Sequence, residues 1–165
     1  LSGGAGRTDD LDAVTRQLGH PPRGRFQVVV RRPDGAPVVI ENDPRLDDGT
    51  PMPTTLWLVD DSMVRQVSTL EAGGGVRRLE AAVDPAALAV AHADYARRRD
   101  ALDRGRPGPA PSGGVGGTRE GVKCLHAHLA NHLAGHDDPV GRLVADEIVV
   151  GEVVPTPPVR DRLSG

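Results

Sequence analysis

Aromatic residues are almost missing from this chain: Phe26, Trp57 and Tyr95 are the three that it has in 165 residues. The core must therefore be aliphatic, and each Leu, Val or Ala buries less area than a ring, which predicts modest stability. Cysteine is nearly missing too. A single residue, Cys124, cannot form an internal disulfide, so the fold needs no oxidising compartment. No apolar run reaches the roughly 18 residues that a membrane helix requires. Residues 1–6 lack the apolar segment of a signal peptide. A cytoplasmic location is the expectation. Lysine occurs once, as Lys123, against a combined Lys and Arg count of 20, and acidic residues bring the net charge to −3. The arginines are scattered, which argues against a dedicated nucleic-acid surface. The one basic run, Arg97-Arg98-Arg99, reads as the solvated end of a helix.

What is abundant is glycine and proline, 21 and 15 residues, concentrated in connections. Residues 1–8 read as disordered, and Asp9 to Leu18 as a short helix with Leu11, Val14 and Leu18 on one side. Two β-rich runs, Phe26 to Arg32 and Pro37 to Asn42, flank Asp34-Gly35, a pair that favours a tight turn and an antiparallel hairpin. Leu56 to Val59 reads as a buried third strand. Asp60 or Asp61 is placed to cap a helix through Leu70, with Met63, Val67 and Leu70 on one face. A short helix follows from Val76 to Val83. Asp84-Pro85 opens a longer one to about Arg104, with Leu88, Ala91 and Tyr95 as its apolar stripe. Residues 105–117 are a loop. Thr118 then caps a helix ending at Gly135, Asp138-Pro139 opens a last helix to about Val149, and the tail from Pro155 stays unfolded. The expected fold is α+β: a small N-terminal antiparallel hairpin or sheet packed with four to five helices. It would occupy residues 23–150 as one domain, between a flexible or short-helical segment (1–22) and a flexible tail (151–165).

Chemistry concentrates in fourteen residues, 123–136. They hold Lys123, Cys124, His126, His128, His132 and His136, four of the chain's six histidines among them. On one helix, Val122, Leu125, Leu129 and Leu133 form the core-facing stripe, flanked by His126 and His136. Cys124, His128 and His132 form a neighbouring stripe at i, i+4, i+8. At a rise of ~1.5 Å per residue its ends lie about 12 Å apart, too far for all three to hold one ion. An i, i+4 pair from Cys124, His128 and His132 can bind a divalent metal ion if further ligands come from His92, Asp60, Asp61 or Glu71. Thiol chemistry is a second option, with His128 as base to Cys124 and Lys123 favouring the thiolate. It is opposed by a cysteine well inside the helix, where the dipole has faded. A phosphate-type anion is the third option. Gly113, Gly114, Gly116, Gly117 and Thr118 would offer backbone N–H groups at a helix N-terminus, completed by Arg119 and Lys123. The Gly-Lys-Ser/Thr ending of a P-loop is absent. Whatever the ligand, Cys124, His126 and His128 are expected to share a polar site facing Trp57, with Asp60 and Asp61 as partners of the imidazoles.

Several ordered motifs resemble an uncharacterised bacterial family, a domain of unknown function common in actinobacteria. They are Gly35-Ala36-Pro37-Val38-Val39, Pro44-Arg45-Leu46, residues 48–54, Trp57-Leu58, Val67-Ser68-Thr69-Leu70-Glu71, residues 121–128 and Pro139-Val140-Gly141. The resemblance covers about Arg25 to Val144. It implies no established activity. By gene neighbourhood it implies an association with septum-formation or exopolyphosphatase proteins, hence an interaction module of cell division or polyphosphate physiology. It also implies further cysteines near Arg32 and Asp34 and after Trp57-Leu58. This chain has none there, so a metal site would have lost those ligands or replaced them with Asp34, Asp60 or Asp61.

Overall fold

The computed structural model describes residues 5–156. Two strands, β1 (Phe26–Arg31) and β2 (Pro37–Asn42), pair antiparallel with Val28 opposite Ile40. The turn is the expected one: the Gly35 N–H donates to Arg32 O at 2.9 Å, and Asp34 Oδ1 accepts from Ala36 N at 2.9 Å. A third strand, β3 (Leu56–Leu58), joins β2 with Trp57 opposite Ile40. Each of the three is short and rich in branched or aromatic residues, which suits a half-buried pleated surface. The tail adds what composition did not show. Val154–Pro155 forms β4 on the outer side of β1, giving the order β3-β2-β1-β4. The other end also departs from expectation, because α1 spans Ala5–Leu18 and so includes residues 5–8. The rest of the two terminal expectations falls on residues 1–4 and 157–165, outside the described residues.

The sheet has an apolar cluster on each face, as an amphipathic sheet between helices requires. On one face α1 supplies Val14 to Val28, Ile40 and Val59, with Leu18, Phe26 and Trp57 packed around them. Leu11 does not join; it is 45 % exposed. The larger cluster joins Val30, Val39, Leu56 and Leu58 to the helices. Those are α2 (Asp61–Ala72), α3 (Gly75–Ala82), α4 (Pro85–Asp103), α5 (Leu125–Leu133) and α6 (Pro139–Glu147). Three of them start where the acid caps predicted. Asp60 accepts from Met63 N, Asp84 from Ala86 N and Asp138 from Gly141 N. Tyr95 ties α4 to the sheet: its hydroxyl oxygen accepts from Thr55 N at 2.9 Å and Leu56 N at 3.0 Å.

Two expectations change. The run Arg97-Arg98-Arg99 is not a solvated end. Arg97 is exposed, but Arg98 lies 5.5 Å over the Tyr95 ring and Arg99 is 2 % exposed. Arg99 donates to Gly113 O and Pro53 O, so one buried guanidinium fastens two connections to α4. The second change decides the site. The α5 helix begins at Leu125, six residues later than a Thr118 cap would place it. Gly121 has φ +65°, a conformation that ends helical propagation, and the Val122 N–H is drawn off by Glu80 Oε2 at 3.1 Å. At the far side α5 meets α6 almost backbone to backbone. A Cβ on Gly141 would sit 2.2 Å from His128 O and 2.6 Å from His132 Cβ.

Candidate functional site

The late start of α5 puts Cys124 at its N-cap, with extended backbone, and frees the thiol from the interior of a helix. The first helical N–H groups have no intrahelical partner. One of them, Leu125 N–H, donates to Glu71 Oε1 at 2.8 Å, so a carboxylate from α2 caps α5 across the helix interface. Val64, Ser68 and Glu71 lie at i, i+4, i+7 on α2, one stripe facing this terminus. His126 reaches all three. Its Nδ1 is 3.2 Å from Glu71 Oε1, and its Nε2 is 3.2 Å from both Val64 O and Ser68 Oγ. Cys124 Sγ lies 3.9 Å from the same Nδ1. The Cys124 contact raises the His126 pKa to about 9; burial opposes it, and Glu71 and Val64 O add to it. Without an ion, His126 is thus an imidazolium held between sulfur and carboxylate.

One ligand atom from each of Glu71, Cys124 and His126 falls within 4.8 Å of the others, and all three residues are partly exposed. Donor atoms about 2.0–2.3 Å from a tetrahedral zinc-type ion stand about 3.3–3.7 Å apart. The sulfur–nitrogen and nitrogen–oxygen separations above bracket that range.

His128, two residues on, is fully buried on the opposite side of α5. Its Nδ1 is 2.9 Å from both oxygens of Asp138. Asp138 also accepts from Asn131 Nδ2 and from Gly141 N, each at 2.9 Å. Burial pushes its pKa up, but His128, Asn131 and the Gly141 N–H outweigh burial and hold it below the usual value. Asn131 Oδ1 in turn accepts from Arg98 at 2.9 Å. His92 packs edge-on against His128, with ring centroids 5.8 Å apart. Burial lowers its pKa, and its ring is used at both ends: Nδ1 accepts from Val115 N and Nε2 donates to Gly121 O. His128 Nε2 is buried and has no hydrogen-bond partner among the described residues.

The expected site residues separate accordingly. Cys124 and His126 meet, and of the four outside donors considered, Glu71 is the one that joins them. Of the i, i+4 pairs from Cys124, His128 and His132, His128 has its Nδ1 engaged by Asp138, and neither His128 nor His132 belongs to the cluster of three donors found among the described residues. Trp57 points to the α1 face and donates Nε1 to Thr54 O. Asp60 caps α2 and pairs with Arg32 at 2.9 Å, Asp61 is exposed, and Asp34 is spent on its own turn. Among the described residues, none of the three acids makes an ion pair with an imidazole. The glycine loop does not open a helix, and it uses its own amides. Gly114 N donates to Thr118 O, Gly117 N to Gly114 O and Val115 N to His92. Gly113 O holds Arg99, Thr118 bonds Glu120 O, and Gly116 lies against Cys124. Arg119 and Lys123 are exposed. Sequence reasoning missed Ser68, Asn131 and Asp138 as members of polar clusters. Asp138 was visible only as a helix cap.

Residues 28–146 match the model of a family described as a protein of unknown function, DUF501. The chain belongs to that family. No curated protein and no solved structure is significantly similar to it. Among the described residues, no helix is long and apolar enough to cross a membrane. Glu71, Cys124 and His126 all lie within the residues that match the family.

Proposed function

We propose that Glu71, Cys124 and His126 bind one divalent metal ion of the zinc type, and that this is the ligand site of the domain. The observation that carries the reading is the convergence of sulfur, nitrogen and oxygen donors from two helices within 4.8 Å. A thiolate and an imidazole suit a borderline-soft ion better than magnesium or calcium. Three protein ligands leave a fourth position for water or substrate, the pattern of a reactive rather than a closed site. Ser68, on His126 Nε2, orients the imidazole as an outer partner does in metal sites. Purified full-length chain, metal-stripped and titrated with cobalt(II), should develop the visible and thiolate charge-transfer absorption of a tetrahedral sulfur-ligated ion at one equivalent. Cys124→Ser should abolish the charge-transfer band. Absence of both bands in the wild type overturns the reading.

A second reading has one observation in its favour. Cys124 stands at a helix N-terminus with its Sγ 3.9 Å from His126 Nδ1, a thiol and an imidazole placed for nucleophilic chemistry. In that case iodoacetamide would alkylate the metal-free chain faster than free cysteine, and Glu71→Gln would slow it.

A further inference from the structure

Among the described residues, one edge of the sheet is half covered. β4 pairs only with Val30 and Arg31, and the last bond along that line is Thr156 N to Val29 O. Below it, Asp43 N donates to Arg25 O, so Arg25 and Gln27 turn their backbone groups toward β2. By antiparallel alternation, Phe26 and Val28 turn theirs outward. A groove of about 1260 Å³ runs along this edge. Leu11 of α1 stands on one wall and Leu102, at the end of α4, on the other, and they are 45 % and 41 % exposed. The charge of the groove is not balanced. Four arginines line it against three acids: Asp10 pairs with Arg31 and Asp43 with Arg106, while Glu41 accepts from the neutral amide of Gln27 and keeps its charge. Its cations Arg25 and Arg104 are exposed and make no ion pair among the described residues.

We propose that this slot binds an extended acidic peptide from a partner protein, added as a strand to β1 in line with β4. An open edge gives main-chain hydrogen bonds, and side chains alternating between the two walls give selectivity. About four residues of strand fill the uncovered length. Apolar side chains fit against Leu11 and Leu102, and Asp or Glu side chains pair with Arg25 and Arg104. The chain's own continuation is a poor occupant. It reads Pro157-Pro158 and then Arg160-Asp161-Arg162, so its sequence brings two residues without an N–H and a net positive charge, the wrong sign for this groove. The proposal is independent of the metal reading, since no ligand of that site lines the groove.

The test is a selection of random nine-residue peptides displayed on phage against the full-length chain, followed by amide NMR with the winning synthetic peptide. The enriched peptides should alternate apolar residues with Asp or Glu, and the largest shifts should fall on Phe26–Val28 and on Arg25 and Arg104. The double variant Arg25→Glu/Arg104→Glu, at two exposed positions, should bind at least tenfold more weakly while keeping the wild-type spectrum elsewhere. A second double variant, Leu11→Ser/Leu102→Ser, should also weaken binding. The proposal is overturned by selection of neutral or basic peptides, by equal binding to both variants, or by shifts centred elsewhere. It is also overturned if the free chain shows contacts from residues 157–165 or from a second copy at Phe26–Val28.

Discussion

His126 and His128 sit two residues apart on one helix and meet opposite fates. About 200° of helical rotation separates them. The rotation sends His128 into a layer between α5 and α6, where every oxygen of Asp138 is used, and sends His126 to the rim, where three donors converge. The difference lies in the carboxylate each one meets. Asp138 is buried and already satisfies a cap and an amide, so its histidine has become part of a tie between helices. Glu71 is partly exposed and has one oxygen without a hydrogen-bond partner among the described residues, so its histidine shares an incomplete set of ligands. Position in a cluster of histidines therefore says little. The saturation of the partner separates a brace from a site.

The comparison breaks most sharply at Asp138. Asp138→Ala removes the α6 cap and leaves His128 and Asn131 donors unpaired in the core. Loss of one member of such a buried set costs about 3–5 kcal/mol, read as a drop in the urea midpoint. His128→Gln is the next largest: a buried partner is lost from Asp138 at a cost of about 1–3 kcal/mol, while cobalt binding stays at one equivalent. His126→Gln inverts the pattern. Cobalt binding is lost, and stability of the metal-free chain at neutral pH changes by about 1 kcal/mol or less, as for a partly exposed ion pair. If both substitutions instead moved stability equally and left cobalt binding alone, the two histidines would have the same role.

The smallest effect is the pH profile. His126 has its folded pKa raised to about 9, by Cys124 foremost. Its contribution is fully present below the unfolded value near 6.5 and is lost as pH rises through about 9. His136 is the reverse: burial, then Arg98, lowers it to about 4. Its contribution is present above about 6.5 and is lost as pH falls toward 4. Thermal melts of the metal-free chain should therefore decline on both sides of neutrality. His126→Gln should flatten the alkaline side, and His136→Gln the acid side. Exchange of those two effects between the variants would contradict the assignments.

Much of this architecture was legible from local chemistry. Asp34-Gly35 needs no tertiary contact to favour its turn, and Asp60, Asp84-Pro85 and Asp138-Pro139 bond to amides within three residues. The site was legible as a place but not as a set. Glu71 lies 55 residues from His126, and no periodicity joins α2 to α5. The helix start was misplaced because Thr118 has the right residue type for a cap, while the features that end the helix short of it are a positive φ at Gly121 and a bond from Val122 to Glu80. Both are consequences of packing. The same error hid the N-cap position of Cys124 and made the glycine loop look like an anion cradle. β4 stayed hidden because two residues carry no pattern.

Gly141 gives the α5–α6 contact a consequence for sequence variation. With no room for even a methyl group beside His128 O, any other residue there must push two helices apart and pull Asp138 from His128 in the same movement. In a library covering every substitution along the chain, selected for soluble expression, codon 141 should lose all alternatives, alanine included. Codon 135, whose glycine has nothing within 4 Å of an added Cβ, should retain asparagine. The spacing of two helices would then be readable as a single intolerant letter.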